Sequence, residues 1–243
     1  MKTKNILTLI VAAGLTSFAA NAKAVATFQD NFSGNSVDTS KWSVYDTWVW
    51  DYSQAIVNNG SLQLNYRSIL TTTSTFDFPI TVSGSFTLGT LRQAERLQIV
   101  TRADGSTIGR WAEPAGMKFS FTTSGVGIQF ADYYGNYTDY GTSTGLSLSS
   151  NTSYNFSVID SGSIASVIIN GSTVYSTTVA SNLSAGNNVS ITNRERAAGT
   201  LLGPITISPI ASSPVPEPST YGLIGIGALG VAFAARRRKQ KTA

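Results

Sequence analysis

Between Val25 and Ile210 the chain runs in short stretches that alternate apolar and polar residues, the period of two that turns one face of a strand toward a core. Ser61-Leu-Gln-Leu-Asn65, Ile80 to Leu88, Leu97 to Thr101, Met117 to Thr122 and Val126 to Phe130 follow it. So do Tyr154 to Val158, Ser166 to Ile169, Thr173 to Ser176, Val189 to Thr192 and Ile205 to Ser208. Turn-forming pairs separate them: Asn59-Gly60, Asp104-Gly105, Ser124-Gly125, Ser161-Gly162, Asn170-Gly171 and Ala185-Gly186. The Asn170-Gly171 pair predicts a two-residue hairpin between Ser166–Ile169 and Thr173–Ser176, because that turn needs positive φ at both central residues. No stretch of this body shows a helical period, and no repeat of 20 to 50 residues recurs. The pattern predicts an all-β fold: two antiparallel sheets packed as a sandwich.

The two ends break the pattern. Lys2 and Lys4 precede an apolar run from Ile6 to Ala20 and the small-residue site Ala22-Lys23-Ala24, the order of a secretory signal peptide over residues 1–24, cleaved after Ala24 by a signal peptidase. At the other end a proline-rich linker over 212–220 contains Pro216-Glu217-Pro218. It leads into an apolar segment over 221–235 and a basic tail over 236–243. As a helix, 221–235 is about 22 Å long against a hydrocarbon core of about 30 Å, so it predicts a short transmembrane helix with Arg236, Arg237 and Arg238 on the cytoplasmic side.

Those ends also distort the charge. Eight of the 17 basic residues lie in them (Lys2, Lys4, Lys23, Arg236, Arg237, Arg238, Lys239 and Lys241), whereas all 13 acidic residues fall between Val25 and Pro218. Nine basic residues then face 13 acidic ones, a body of net charge −4, which removes the electrostatic ground for nucleic acid binding. The absence of cysteine and histidine excludes disulfides, thiol catalysis, His-dependent serine triads and Cys/His metal sites.

The opening of the body carries a family resemblance. Phe28-Gln-Asp-Asn-Phe32, Gly34, Val37-Asp38, Lys41-Trp42 and Val57-Asn-Asn-Gly-Ser-Leu-Gln-Leu64 resemble the first strands of concanavalin A-like lectin and glucanase domains, including family 16 glycoside hydrolases. The resemblance implies a two-sheet jelly roll with a carbohydrate-facing concave side. Family 16 enzymes carry Glu-x-Asp-x-x-Glu on one strand, since a retaining mechanism needs two carboxyl groups close across the sugar. That spacing does not occur in this chain.

Candidate ligand-binding residues are therefore drawn from charge and aromatic clusters, with no residue assigned as catalytic. In Arg92-Gln-Ala-Glu95-Arg96 and on to Arg102, the flanking cation favours the Glu95 carboxylate, which suits an ion pair better than proton donation. Trp111 with Glu113 offers a stacking ring beside a hydroxyl acceptor; the alternative is a loop whose Trp covers a sheet edge. Trp48 and Trp50 share a face if extended, either as a stacking platform or as a buried pair. Asp132 to Asp139, with Tyr134 and Tyr137, has the composition of an adaptable binding loop. Its Asp132, Asn136 and Asp139 offer oxygens of the kind Ca²⁺ takes, without EF-hand spacing, and no other cofactor is expected.

Pro216-Glu217-Pro218, a Gly/Ala/Leu helix and an Arg cluster, in that order behind a signal peptide, resemble the PEP-CTERM sorting domain of Gram-negative bacteria. The resemblance implies export to the periplasm with transient anchoring in the inner membrane, recognition by an exosortase, removal of the tail near Pro216-Glu217-Pro218, and delivery to the cell surface or extracellular polysaccharide matrix. Together these features lead to the expectation of an exported, non-catalytic sandwich that binds glycan or serves structurally. The alternative is a glycoside hydrolase or polysaccharide lyase with a diverged site around Glu95, Arg96, Arg102 and Glu113.

Overall fold

The computed structural model describes residues 27–46, 55–58, 60–64, 68–89, 97–105, 107–108, 113–193 and 200–210. The chain divides into two compact units, 1–209 and 210–243. The expected signal peptide, linker, transmembrane helix and basic tail lie outside the described residues. No helix among the described residues is long and apolar enough to cross a membrane.

Seventeen strands make up the described part of the first unit: β1 (Phe28–Asp30), β2 (Trp42–Asp46), β3 (Ile56–Asn58), β4 (Ser61–Leu64), β5 (Ser68–Thr72), β6 (Ile80–Thr87), β7 (Leu97–Ala103), β8 (Thr107–Ile108), β9 (Glu113–Pro114), β10 (Gly116–Thr122), β11 (Gly125–Ala131), β12 (Tyr137–Thr142), β13 (Ser153–Asp160), β14 (Ile164–Ile169), β15 (Ser172–Thr178), β16 (Asn188–Asn193) and β17 (Thr200–Pro209). All pairings are antiparallel. The eight-stranded sheet runs β15-β14-β13-β6-β17-β4-β3, with β1 also on β17. The seven-stranded sheet runs β12-β11-β10-β7-β16-β5-β2, and β8-β9 form a small ribbon. A register shift between Leu202 and Ile205 splits β17, so that Thr200–Leu202 pair with β4 and Ile205–Ile207 with β1.

All ten expected strands are present. The seven others are short or lack alternation, as in Ser68–Thr72, whose five residues are all buried. The predicted hairpin forms as read: β14 and β15 pair around Asn170 (φ 49°) and Gly171 (φ 81°). The core lies between the sheets, where Phe86, Phe121 and Phe156 meet at ring-centroid distances of 5.0 to 5.9 Å.

The residues that carry the glucanase-like resemblance act through packing. Asp30, buried, accepts the Trp42 indole N–H at 2.6 Å and the Phe32 backbone N–H at 2.9 Å, while Lys41 stands 3.7 Å away. Phe28 meets Trp42 edge-on at 5.2 Å and Phe32 stacks on it at 6.3 Å. One carboxylate thus ties β1 to β2 across the two sheets.

Candidate functional site: the outer face of the seven-stranded sheet

The two sheets treat solvent differently. Strands of the eight-stranded sheet alternate buried and accessible residues, as in β14, so one face is packed and the other is wet. In the seven-stranded sheet β7 is buried throughout, as is β10 up to its last residue. Its second face, away from the core, is therefore covered over the central strands although many of its residues are polar.

Register defines that face. One row crosses all seven strands as Asp139, Gln129, Lys118, Val100, Ser190, Thr71 and Ser43. The next runs Thr142, Gly127, Ser120, Gln98, Thr192, Ile69 and Tyr45. Neighbours within the rows bond to each other: Thr71 and Ser190 hydroxyls lie 2.8 Å apart, and Gln98 Nε2 donates to Ser120 Oγ at 3.1 Å. Lys118 is fully buried, with Nζ 5.0 Å from the Tyr137 ring centroid. Toward β10, β11 and β12 the face opens into a groove of about 190 Å³, whose lining includes Ser120, Thr122, Gly127, Gln129 and Thr142.

The β11–β12 turn displays tyrosines. Asp132 Oδ1 accepts the backbone N–H groups of Tyr134 and Asn136, and Oδ2 accepts the Asn136 side-chain amide. The Asn136 amide, followed by its backbone N–H, holds the Asp132 carboxyl below its ordinary range. The turn so fixed presents Tyr133 edge-on to Tyr134 at 5.7 Å, and both are exposed. Tyr137 is exposed as well, but it belongs to strand β12; the expected loop over 132–139 is a tight turn followed by an edge strand.

Of the expected ligand-binding residues, Arg102, Tyr134 and Tyr137 fall wholly within the described residues. Trp48, Trp50, Arg92, Glu95, Arg96 and Trp111 lie outside the described residues, as does the Glu113 side chain, whose backbone forms β9. Arg102 requires a correction. It sits at a bulge with φ 53° and is buried, with Nε donating to Asp160 Oδ2 at 2.8 Å and Nη2 to Asp160 Oδ1. Its other donors reach the carbonyls of Leu183 and Gly162. A guanidinium so occupied holds the structure together and leaves little for a ligand.

Of the oxygens considered for Ca²⁺, those of Asp132 accept hydrogen bonds within its own turn and Asp139 Oδ1 accepts the Gly141 N–H. Gln98, Ser120 and Gln129 were missed because no composition signal marks them. Alternation within Met117–Thr122 does place Lys118 and Ser120 away from the core, and that was the available clue.

Comparison with known proteins adds two findings. Residues 214–239 match the PEP-CTERM protein-sorting motif. The chain carries a PEP-CTERM tail. Ahead of this PEP-CTERM tail, the sandwich has a concanavalin A-like, glucanase-type fold. It is similar to the Bacillus licheniformis β-glucanase (TM-score 0.55, 7% identity, covering 77% of this chain and 100% of that one). It is similar also to the endo-β-1,3-glucanase of Pyrococcus furiosus (TM-score 0.52, 12% identity, 78% and 95%) and to LamAcat of Zobellia galactanivorans (TM-score 0.50, 13% identity, 76% and 96%). At these identities the likeness is one of fold. No curated protein matches the chain.

Proposed function

We propose that the protein is exported and held transiently in the inner membrane by 221–235. An exosortase then processes it at the PEP-CTERM tail and delivers it to the surface or extracellular matrix of a Gram-negative bacterium. There its sandwich binds glycan without cleaving it. The sorting motif over 214–239 supports the address, and the amino-terminal Lys-apolar-small pattern supports entry by a signal peptide. The glucanase names of the neighbouring structures support a polysaccharide as the ligand class.

The observation that carries the binding reading is the end of the two register rows left open over β10, β11 and β12, where Ser120, Thr122, Gln129 and Thr142 line a groove. That open end offers hydroxyl and amide groups, and among the described residues of the two rows the sole carboxylate is Asp139. Retaining cleavage needs two carboxyl groups about 5–5.5 Å apart. The test is to array the purified full-length protein in mild detergent against insoluble polysaccharides, following both retention and new reducing or unsaturated ends. Retention without new ends supports the reading. Cleavage lost in Glu95→Gln or Glu113→Gln would replace it with the hydrolase or lyase alternative, and retention by no glycan would leave a structural role.

A further inference from the structure

Register and cross-sheet bonds place the β11–β12 turn at one end of the sandwich. Asp160, which accepts from Thr101 and Arg102 near the end of β7, pairs with Ile80, and Ile80 pairs with Pro209, where β17 ends. On the other sheet Thr101 pairs with Met117, and the neighbouring Gly116 pairs with Ala131, the last residue of β11. Tyr133, Tyr134 and the end of β17 therefore lie at the same end. The Asn170-Gly171 hairpin lies at the other, separated from it by β14, six residues or about 20 Å long.

Tyr133 and Tyr134 are the two most exposed large hydrophobic side chains among the described residues, at 62% and 86%. Asp132 fixes the turn that carries them by accepting the Tyr134 and Asn136 backbone N–H groups, so the turn is ordered before any partner arrives. Ile164, exposed at the start of β14, adds an apolar side chain at this end. A tyrosine has an apolar body and a polar tip. It suits the headgroup level of a bilayer, where one side is apolar and the other wet.

The chain leaves β17 at that same end. Eleven residues, 210–220, separate Pro209 from the apolar segment over 221–235, a connection of at most about 40 Å. With 221–235 held in the inner membrane, the tyrosine end is the one from which the bilayer is reached. A body of net charge −4 gains nothing from anionic headgroups, so contact there depends on the rings.

We propose that, while the chain is anchored, this end of the sandwich docks on the periplasmic surface of the inner membrane, with the Tyr133–Tyr134 turn seated among the lipid headgroups. The Asn170-Gly171 end then points away from the bilayer. This rests on the anchoring reading and goes beyond it, because a tether alone fixes no orientation.

The chain has no cysteine, so single fluorescent labels can be placed through Ser163→Cys at the tyrosine end and Ser172→Cys beside the far hairpin, both exposed positions. The full-length protein is reconstituted, body outward, in vesicles of phosphatidylethanolamine and phosphatidylglycerol. Flotation reports anchoring, and energy transfer to acceptors on the lipid headgroups reports the distance of each label from the bilayer surface. The label at position 163 should lie about 20 Å closer than the label at 172. Tyr133→Ser with Tyr134→Ser should at least halve that difference with flotation unchanged, whereas Tyr133→Trp with Tyr134→Trp should preserve it. Both rings are exposed and the turn is held through backbone N–H groups, so both double variants should fold. Equal distances for the two labels, or a difference that the serine variant leaves unchanged, would overturn the docking while leaving the anchor intact. Loss of flotation in the unaltered chain would overturn the anchoring reading and this inference with it.

Discussion

Two buried carboxylates hold the sandwich at different places. Asp30 joins β1 to β2 through the Trp42 indole and the Phe32 N–H. Asp160, at the end of β13, joins the eight-stranded sheet to β7 through Arg102 and the Thr101 hydroxyl. Asp30→Ala leaves the indole donor unpaired in the core, and urea unfolding should show a loss of about 1.5–3 kcal/mol. Arg102→Met alone strands a buried charge and should cost about 3–5 kcal/mol; adding Asp160→Leu should recover much of that in a double-mutant cycle, because an apolar pair of similar volume replaces a costly desolvated one. Asp132 is different, being only partly buried and held by its own turn. Its folded carboxyl titrates below the unfolded one, so its stabilisation is complete above the ordinary carboxylate range near pH 4 and is lost as pH falls through the lower folded value. An NMR pH titration should find its carboxyl carbon moving at lower pH than an unconstrained aspartate, with the Tyr134 and Asn136 amide shifts following it.

At the scale of elements, turns and edges carry the specificity. Gly171 has φ 81° and open space where a Cβ would stand, so Gly171→Ala should cost about 1–2 kcal/mol through backbone strain alone, read as a lowered thermal midpoint. Gly141 combines φ 98° with contact: Tyr175 donates its hydroxyl to the Tyr140 carbonyl at 2.6 Å, stapling the edge strands β12 and β15 of the two sheets, and a Cβ at Gly141 would lie 2.5 Å from that hydroxyl. Strands with clean alternation, such as Tyr154–Val158, and turns with a stereochemical requirement, such as Asn170-Gly171, were legible in sequence because their cause is local. β5 and β7 were less so. They are buried on both faces, so polar residues such as Gln98 and Thr71 do not mark the solvent side, and only long-range register shows what they line up with. Arg102 misled for the same reason: its partner, Asp160, stands 58 residues away.

For the whole molecule, the basic character of the sequence belongs to its ends, and the body between them is mildly acidic. A PEP-CTERM tail on a glucanase-type sandwich joins an address to a face equipped with hydroxyl, amide and aromatic groups. The central proposal is that the open end of this face binds glycan and leaves it intact. Amide chemical-shift mapping of the full-length protein titrated with a neutral β-glucan hexasaccharide tests it most directly. The account predicts saturable shifts concentrated at Ser120, Gly127, Gln129 and Thr142 with an unchanged hexasaccharide spectrum; shifts confined to the wet face of the eight-stranded sheet, or the appearance of shorter sugars, would contradict it.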